Sequence, residues 1–162
     1  MSTTISTLTD RFDQLDRRTI LLLRRWSPLA LRLALGVVFV WFGALKALGV
    51  TPVAELVART VYWVDPAWLV PVLGVAEVGI GVGLIVGRGL RVVLALFALQ
   101  MAGTFLVLVV LPEVAFQRGN PFLLTVEGEF VVKNLVLLAA GMAVGAQVEA
   151  RSRSAAPDGL GT

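Results

Sequence analysis

The chain has 162 residues, of which 57% are hydrophobic and only 15% charged, with a formal net charge of +3 and a mean hydropathy of +0.87. A soluble domain of this size carries about a quarter charged residues, so a water-solvated globule is excluded in favour of a single membrane-embedded domain. The lack of Cys and His excludes thiol exchange within the chain, bis-histidine haem, iron–sulfur clusters and the usual zinc sites.

Residues 1–28 precede the first apolar run. Within them Ile5, Leu8, Phe12, Leu15 and Leu22 recur at helical spacing opposite Asp10, Asp13, Asp16 and Arg17, which predicts an amphipathic helix lying on the cytoplasmic membrane face. The run after it is interrupted by glycines and followed by no clear small-residue cleavage site, so we expect a span and not a cleaved signal peptide.

Four segments are long enough to cross a bilayer: Leu29–Leu48, Ala67–Val86, Leu90–Leu111 and Phe130–Gln147. About 20 apolar residues in a helix cover the hydrocarbon core. Arg32, Lys46 and Lys133 lie near the ends of these spans, where long basic side chains can snorkel to the headgroups. The expectation is an all-α membrane protein, a four-transmembrane-helix bundle over residues 29–148.

Between the first two spans, Val53, Leu56, Val57 and Val61 alternate with Glu55 and Arg59, and Tyr62, Trp63 and Trp68 follow. This composition predicts a short outer-face helix returning along the interface as a lid over the bundle. The connection from Pro112 to Glu129 is too polar to span, and its Asn120-Pro121 pair marks a turn that Phe122 and Leu123 would hold against the bundle. Residues 149–162 read as a disordered cytoplasmic tail.

Basic residues set the orientation. Arg11, Arg17, Arg18, Arg24 and Arg25 precede the first span, Arg88 and Arg91 join the second to the third, and Arg151 and Arg153 follow the fourth, whereas the other two loops hold only Arg59 and Arg118. Both termini are therefore expected in the cytoplasm. The basic excess is a topology signal, with no nucleic-acid partner implied.

Glu77 is a lone carboxylate in the otherwise uncharged run Ala67–Gly87. An ionisable group at that depth costs at least about 2.5 kcal/mol and normally faces a partner or a wet cavity. Gly74, Glu77 and Gly81 share one stripe of the second span, and Arg32, Gly36, Phe39, Gly43 and Lys46 share one of the first, so small residues allow the two helices to approach closely. Arg32 and Lys46 sit about 21 Å apart along the axis, so only one can reach Glu77.

Gln100 lies at a depth comparable to that of Glu77, while Lys46, Lys133 and Asn134 lie near the outer ends. These five residues, Lys46, Glu77, Gln100, Lys133 and Asn134, form the candidate ligand-binding set, a funnel from the outer face to mid-membrane. The alternative is a structural polar network, with Glu129 and Lys133 merely an exposed helix pair at i and i+4. No catalytic residue and no metal site is expected.

Three motifs occur in order: Trp41-Phe42-Gly43-Ala44-Leu45-Lys46, Gly74-Val75-Ala76-Glu77-Val78-Gly79-Ile80-Gly81 and Gly128-Glu129-Phe130-Val131-Val132-Lys133-Asn134-Leu135. On them the chain resembles the DoxX-like membrane proteins over residues 30 to 146, and among these the YkgB/RclC-type branch. Glu129 stands where that branch usually has Arg, and Asn134 where it usually has Asp. The resemblance implies a small bacterial inner-membrane protein linked to respiratory or oxidative-stress systems, some relatives being membrane subunits of quinone-reducing enzymes.

The expected function is accordingly a membrane subunit, not catalytic by itself, that binds a quinone or a similarly small amphipathic molecule and supports a redox partner. No covalently bound cofactor is expected. The partners would be the lipid bilayer and other membrane proteins or further copies of the chain. Two alternatives are a permeation or transport protein for a small solute or protons with Glu77 as coupling carboxylate, and a structural assembly subunit of a membrane complex.

Overall fold

The structure, a computed structural model, describes residues 2–154. Its elements in chain order are α1 (Ser2–Ala47), α2 (Ala54–Thr60), α3 (Pro66–Val86), α4 (Leu90–Val110), α5 (Pro112–Ala115), a 3-10 turn over Gln117–Gly119, and α6 (Val126–Ser154). Four stretches are long and apolar enough to cross a membrane: Asp16–Ala47 of α1, all of α3 and α4, and Val126–Val148 of α6. The protein is an all-α membrane bundle. The end carrying α2 and α5 is termed the loop end, and the opposite one, where α3 turns into α4, the tail end.

Two boundaries differ from those expected. The N-terminal amphipathic segment is not a separate helix, because α1 runs unbroken through Pro28. Leucines and arginines with good helix propensity surround that proline, and no glycine offers a break. Likewise, the expected disordered tail begins as helix: residues 149–154 extend α6, since Glu, Ala and Arg favour continuation. Residues 155–162 of that expectation lie outside the described residues.

Breaks occur where backbone chemistry requires them. Asp65 caps α3 by accepting a hydrogen bond from the Ala67 amide at 2.9 Å, and Pro66 opens the helix where a missing amide costs nothing. Gly87, at φ +75°, ends α3 in the left-handed region, and Gly89, at φ +62°, precedes α4, giving the tight link.

The spans pack as a ring. Helix α3 lies against α1 on one side and α4 on the other, while α6 touches both α4 and α1. An inner apolar cluster of Leu35, Phe39, Ile80, Leu84, Phe97, Met101 and Val144 fills the tail half, with the Phe39 and Phe97 rings 5.2 Å apart. A smaller cluster of Val107, Leu111 and Val131 closes the loop half. Large apolar residues such as Val37, Trp41, Leu99, Val109 and Val136 point outward, as lipid-facing positions do.

The α1–α3 seam is the tightest. A Cβ on Gly43 would lie 2.7 Å from the Gly74 carbonyl oxygen, and one on Gly81 2.6 Å from that of Gly36. These reciprocal pairs fix one antiparallel register along the two helices, so the glycine stripes meet as expected.

At the loop end, α2 rests on α3 and α4, so the expected short helix forms. Tyr62 and Trp63 are exposed beside it and stack edge to face at 5.0 Å. In the second loop the Asn120 side chain accepts from the Phe122 amide at 3.0 Å, making the expected turn. Phe122 and Leu123 do not anchor it: Phe122 is 92% exposed, because the turn aims both side chains away. Leu111 and Ala115 are the buried contacts instead.

Candidate ligand-binding site

Helix direction decides where each polar side chain of the site points. The Cα–Cβ bond leans toward the N-terminus of its own helix. Helix α1 ascends to the loop end, so Lys46 leans back into the bundle; α3 descends from it, so Glu77 leans up. In the glycine-fixed register Lys46 stands opposite residue 71, roughly 9 Å along the axis from Glu77, and the two side chains close that gap between them.

Glu77 is 5% exposed. Its Oε1 forms an ion pair with the Lys46 ammonium and also accepts from Gln100 Nε2 at 2.6 Å. Three spans, α1, α3 and α4, are thereby tied at one carboxylate oxygen. The other oxygen, Oε2, is buried with no hydrogen-bond partner among the described residues. Buried polar atoms are nearly always paired; among the described residues the side-chain exceptions are this oxygen and Arg32 Nε.

The surroundings are apolar. Among the described residues only Thr60 and Glu77 are buried and polar, and the Thr60 hydroxyl is satisfied by its own helix, donating to the Leu56 carbonyl at 2.6 Å. The inner cluster around Phe39, Ile80 and Phe97 lies tailward of Glu77. Among the described residues no buried polar side chain continues from Glu77 toward Arg32, whose guanidinium packs over Gly87 at the end of α3. There a cation also suits the negative end of the helix dipole.

Of the five candidate residues, Lys46, Glu77 and Gln100 come together. Lys133 and Asn134 stand apart from them. Lys133 is exposed, donates to Glu129 Oε2 at 3.1 Å, and lies over the Phe130 ring; the Asn134 amide donates to the Phe130 carbonyl at 3.0 Å. Both interactions are within one turn of α6.

One feature escaped the sequence reading. At the loop end a groove of about 430 Å³ runs between α2 and the start of α3, lined by Gly49, Ala54, Ala58, Pro66, Val70 and Pro71 with Glu55 at its edge. Val70 of the groove shares the α3 face of Glu77, two turns above it and about 10 Å away along the helix axis. The small residues at Ala54 and Ala58, four apart on α2, were the available signal.

The DoxX family profile matches residues 27–110, slightly more than half of the chain, and therefore includes Lys46, Glu77 and Gln100 but not Lys133 or Asn134. Comparison with curated proteins and with solved structures gave no match.

Proposed function

The chain belongs to the DoxX family, and from that premise we propose that this small multi-pass membrane protein is a membrane subunit that binds a quinone or similarly small amphipathic molecule beside Glu77, in support of a respiratory or oxidative-stress redox partner. The observation that carries the reading is the buried, unpartnered Glu77 Oε2. A ligand atom at that oxygen would complete its hydrogen bonding, and the apolar groove at the loop end suits the rest of an amphipathic molecule.

Permeation is the weaker reading, because the tail half offers phenylalanine, isoleucine and leucine where a pathway would need polar groups. On the family resemblance we place the protein in the bacterial inner membrane, and on the arginine distribution we place both termini in the cytoplasm. Single cysteines at Gln117→Cys and Ser154→Cys in this cysteine-free chain test that placement. In intact cells an impermeant thiol reagent should label only the first, and the reverse pattern would invert the topology.

The binding reading is tested by purification in mild detergent and mass spectrometry of the extracted small molecules. Wild type should carry a quinone or related amphipathic molecule in stoichiometric amount. The double variant Lys46→Met with Glu77→Leu should lose it while remaining folded, since exchanging a buried ion pair for apolar residues of similar size is often neutral or stabilising. Equal ligand content in the two proteins would reject the site.

A further inference from the structure

Resting on the ligand-binding reading, we infer that the site selects the reduced, hydroxyl-bearing form of its ligand, a quinol or comparable phenol, over the oxidised carbonyl form. The reason lies in how the two Glu77 oxygens are used. Lys46 and Gln100 are the two side-chain donors at the site, and each directs an N–H to Oε1. Oε2 is left with neither.

A carboxylate engaged in an ion pair is an acceptor only. The open valence at Oε2 therefore asks for a donor. A quinol hydroxyl supplies one, forming an O–H···O⁻ bond of the charge-assisted, short kind. A quinone carbonyl brings lone pairs to lone pairs and leaves the buried oxygen unpaired, at the full cost of its desolvation.

Substituting Glu77→Gln turns this chemistry over. The amide oxygen can keep the Lys46 and Gln100 donors, which places its NH₂ group where Oε2 stood. That group donates, so it suits a carbonyl and opposes a hydroxyl hydrogen. The selectivity should shrink or reverse while the size of the side chain is unchanged.

The experiment is equilibrium dialysis of the detergent-purified full chain, without oxygen, against a short-chain ubiquinone analogue in its reduced and in its oxidised form. Excess reductant can be present, as the chain has no cysteine. Wild type should bind the reduced form at least about tenfold more tightly, because a buried site built for a hydroxyl discriminates strongly against a ligand that lacks one. In Glu77→Gln, checked for folding by detergent melting, the ratio should fall below that of wild type.

Equal binding of both forms by wild type, or tighter binding of the oxidised form, would overturn the selectivity and leave the binding site standing. Binding of neither form by wild type, with no copurified ligand, would overturn both. The wild-type comparison decides even where the variant fails to fold.

Discussion

Two lysines near the loop end of the bundle meet opposite fates. Lys46 closes α1 with its side chain 15% exposed, bound to a glutamate on another helix, whereas Lys133 opens α6 with its side chain 71% exposed, bound to Glu129 four residues earlier on its own helix. Residue type and depth are nearly the same; chain direction is not. A side chain leans toward the start of its helix, so Lys46 tips back into the bundle from the α1 face packed on α3, whereas Lys133 tips toward the loop end from the α6 face it shares with the exposed Phe130 and Val136. In an up-and-down bundle one lysine thus becomes part of a buried polar cluster and the other a surface charge.

The difference is sharpest in the energetics. Removing one partner of a buried ion pair strands the other charge, at a cost of about 3–5 kcal/mol. Lys46→Met should therefore lower the detergent melting temperature strongly, and adding Glu77→Leu should restore most of the loss. A Lys46→Met protein as stable as wild type would mean that the pair does not hold α1 to α3.

Next in size is the seam that sets the lysine's register. Gly43→Ala would place a methyl group 2.7 Å from the Gly74 carbonyl oxygen and 2.7 Å from the Val78 amide nitrogen, backbone atoms that cannot rotate away. Overpacking of this kind costs about 1–3 kcal/mol. Gly79→Ala is the control on the facing helix α3, because its Cβ meets nothing within 4 Å, and it should stay within about 0.5 kcal/mol of wild type. Equal effects of the two substitutions would show that the close approach is not what the glycines provide.

These contrasts also mark what could be read from the chain alone. The four spans were legible because each is a long apolar run, and Glu77 because it interrupts one. The Gly36/Gly43 and Gly74/Gly81 stripes were legible because helical periodicity puts their members on single faces. The direction in which Lys46 points was legible in principle, yet snorkelling treats both ends of a helix alike, whereas the Cβ tilt does not. The outward aim of Phe122 depended on local backbone geometry that composition does not encode, and the continuity of α1 through Pro28 on flanking helix formers outweighing a residue that by itself signals a break. The groove between α2 and α3 joins segments distant in sequence, and the division of donors between Oε1 and Oε2 is a matter of packing.

The smallest effect belongs to Lys133. Its pairing with Glu129 is exposed on the outside of the bundle and within one helix, the arrangement that contributes only about 0.2–0.5 kcal/mol. Lys133→Met keeps a stem of similar length and removes the charge together with its contact to the Phe130 ring. Its melting temperature should barely move, and its content of copurified ligand should match that of wild type, since the ammonium contacts Glu129 and Phe130 and stands apart from Glu77. The measurement is the same pair of readouts used for Lys46. Loss of ligand on Lys133→Met with an unchanged melting temperature would erase the contrast between the two lysines: it would bring α6 into the site and require Lys133 to swing away from Glu129 when the ligand binds.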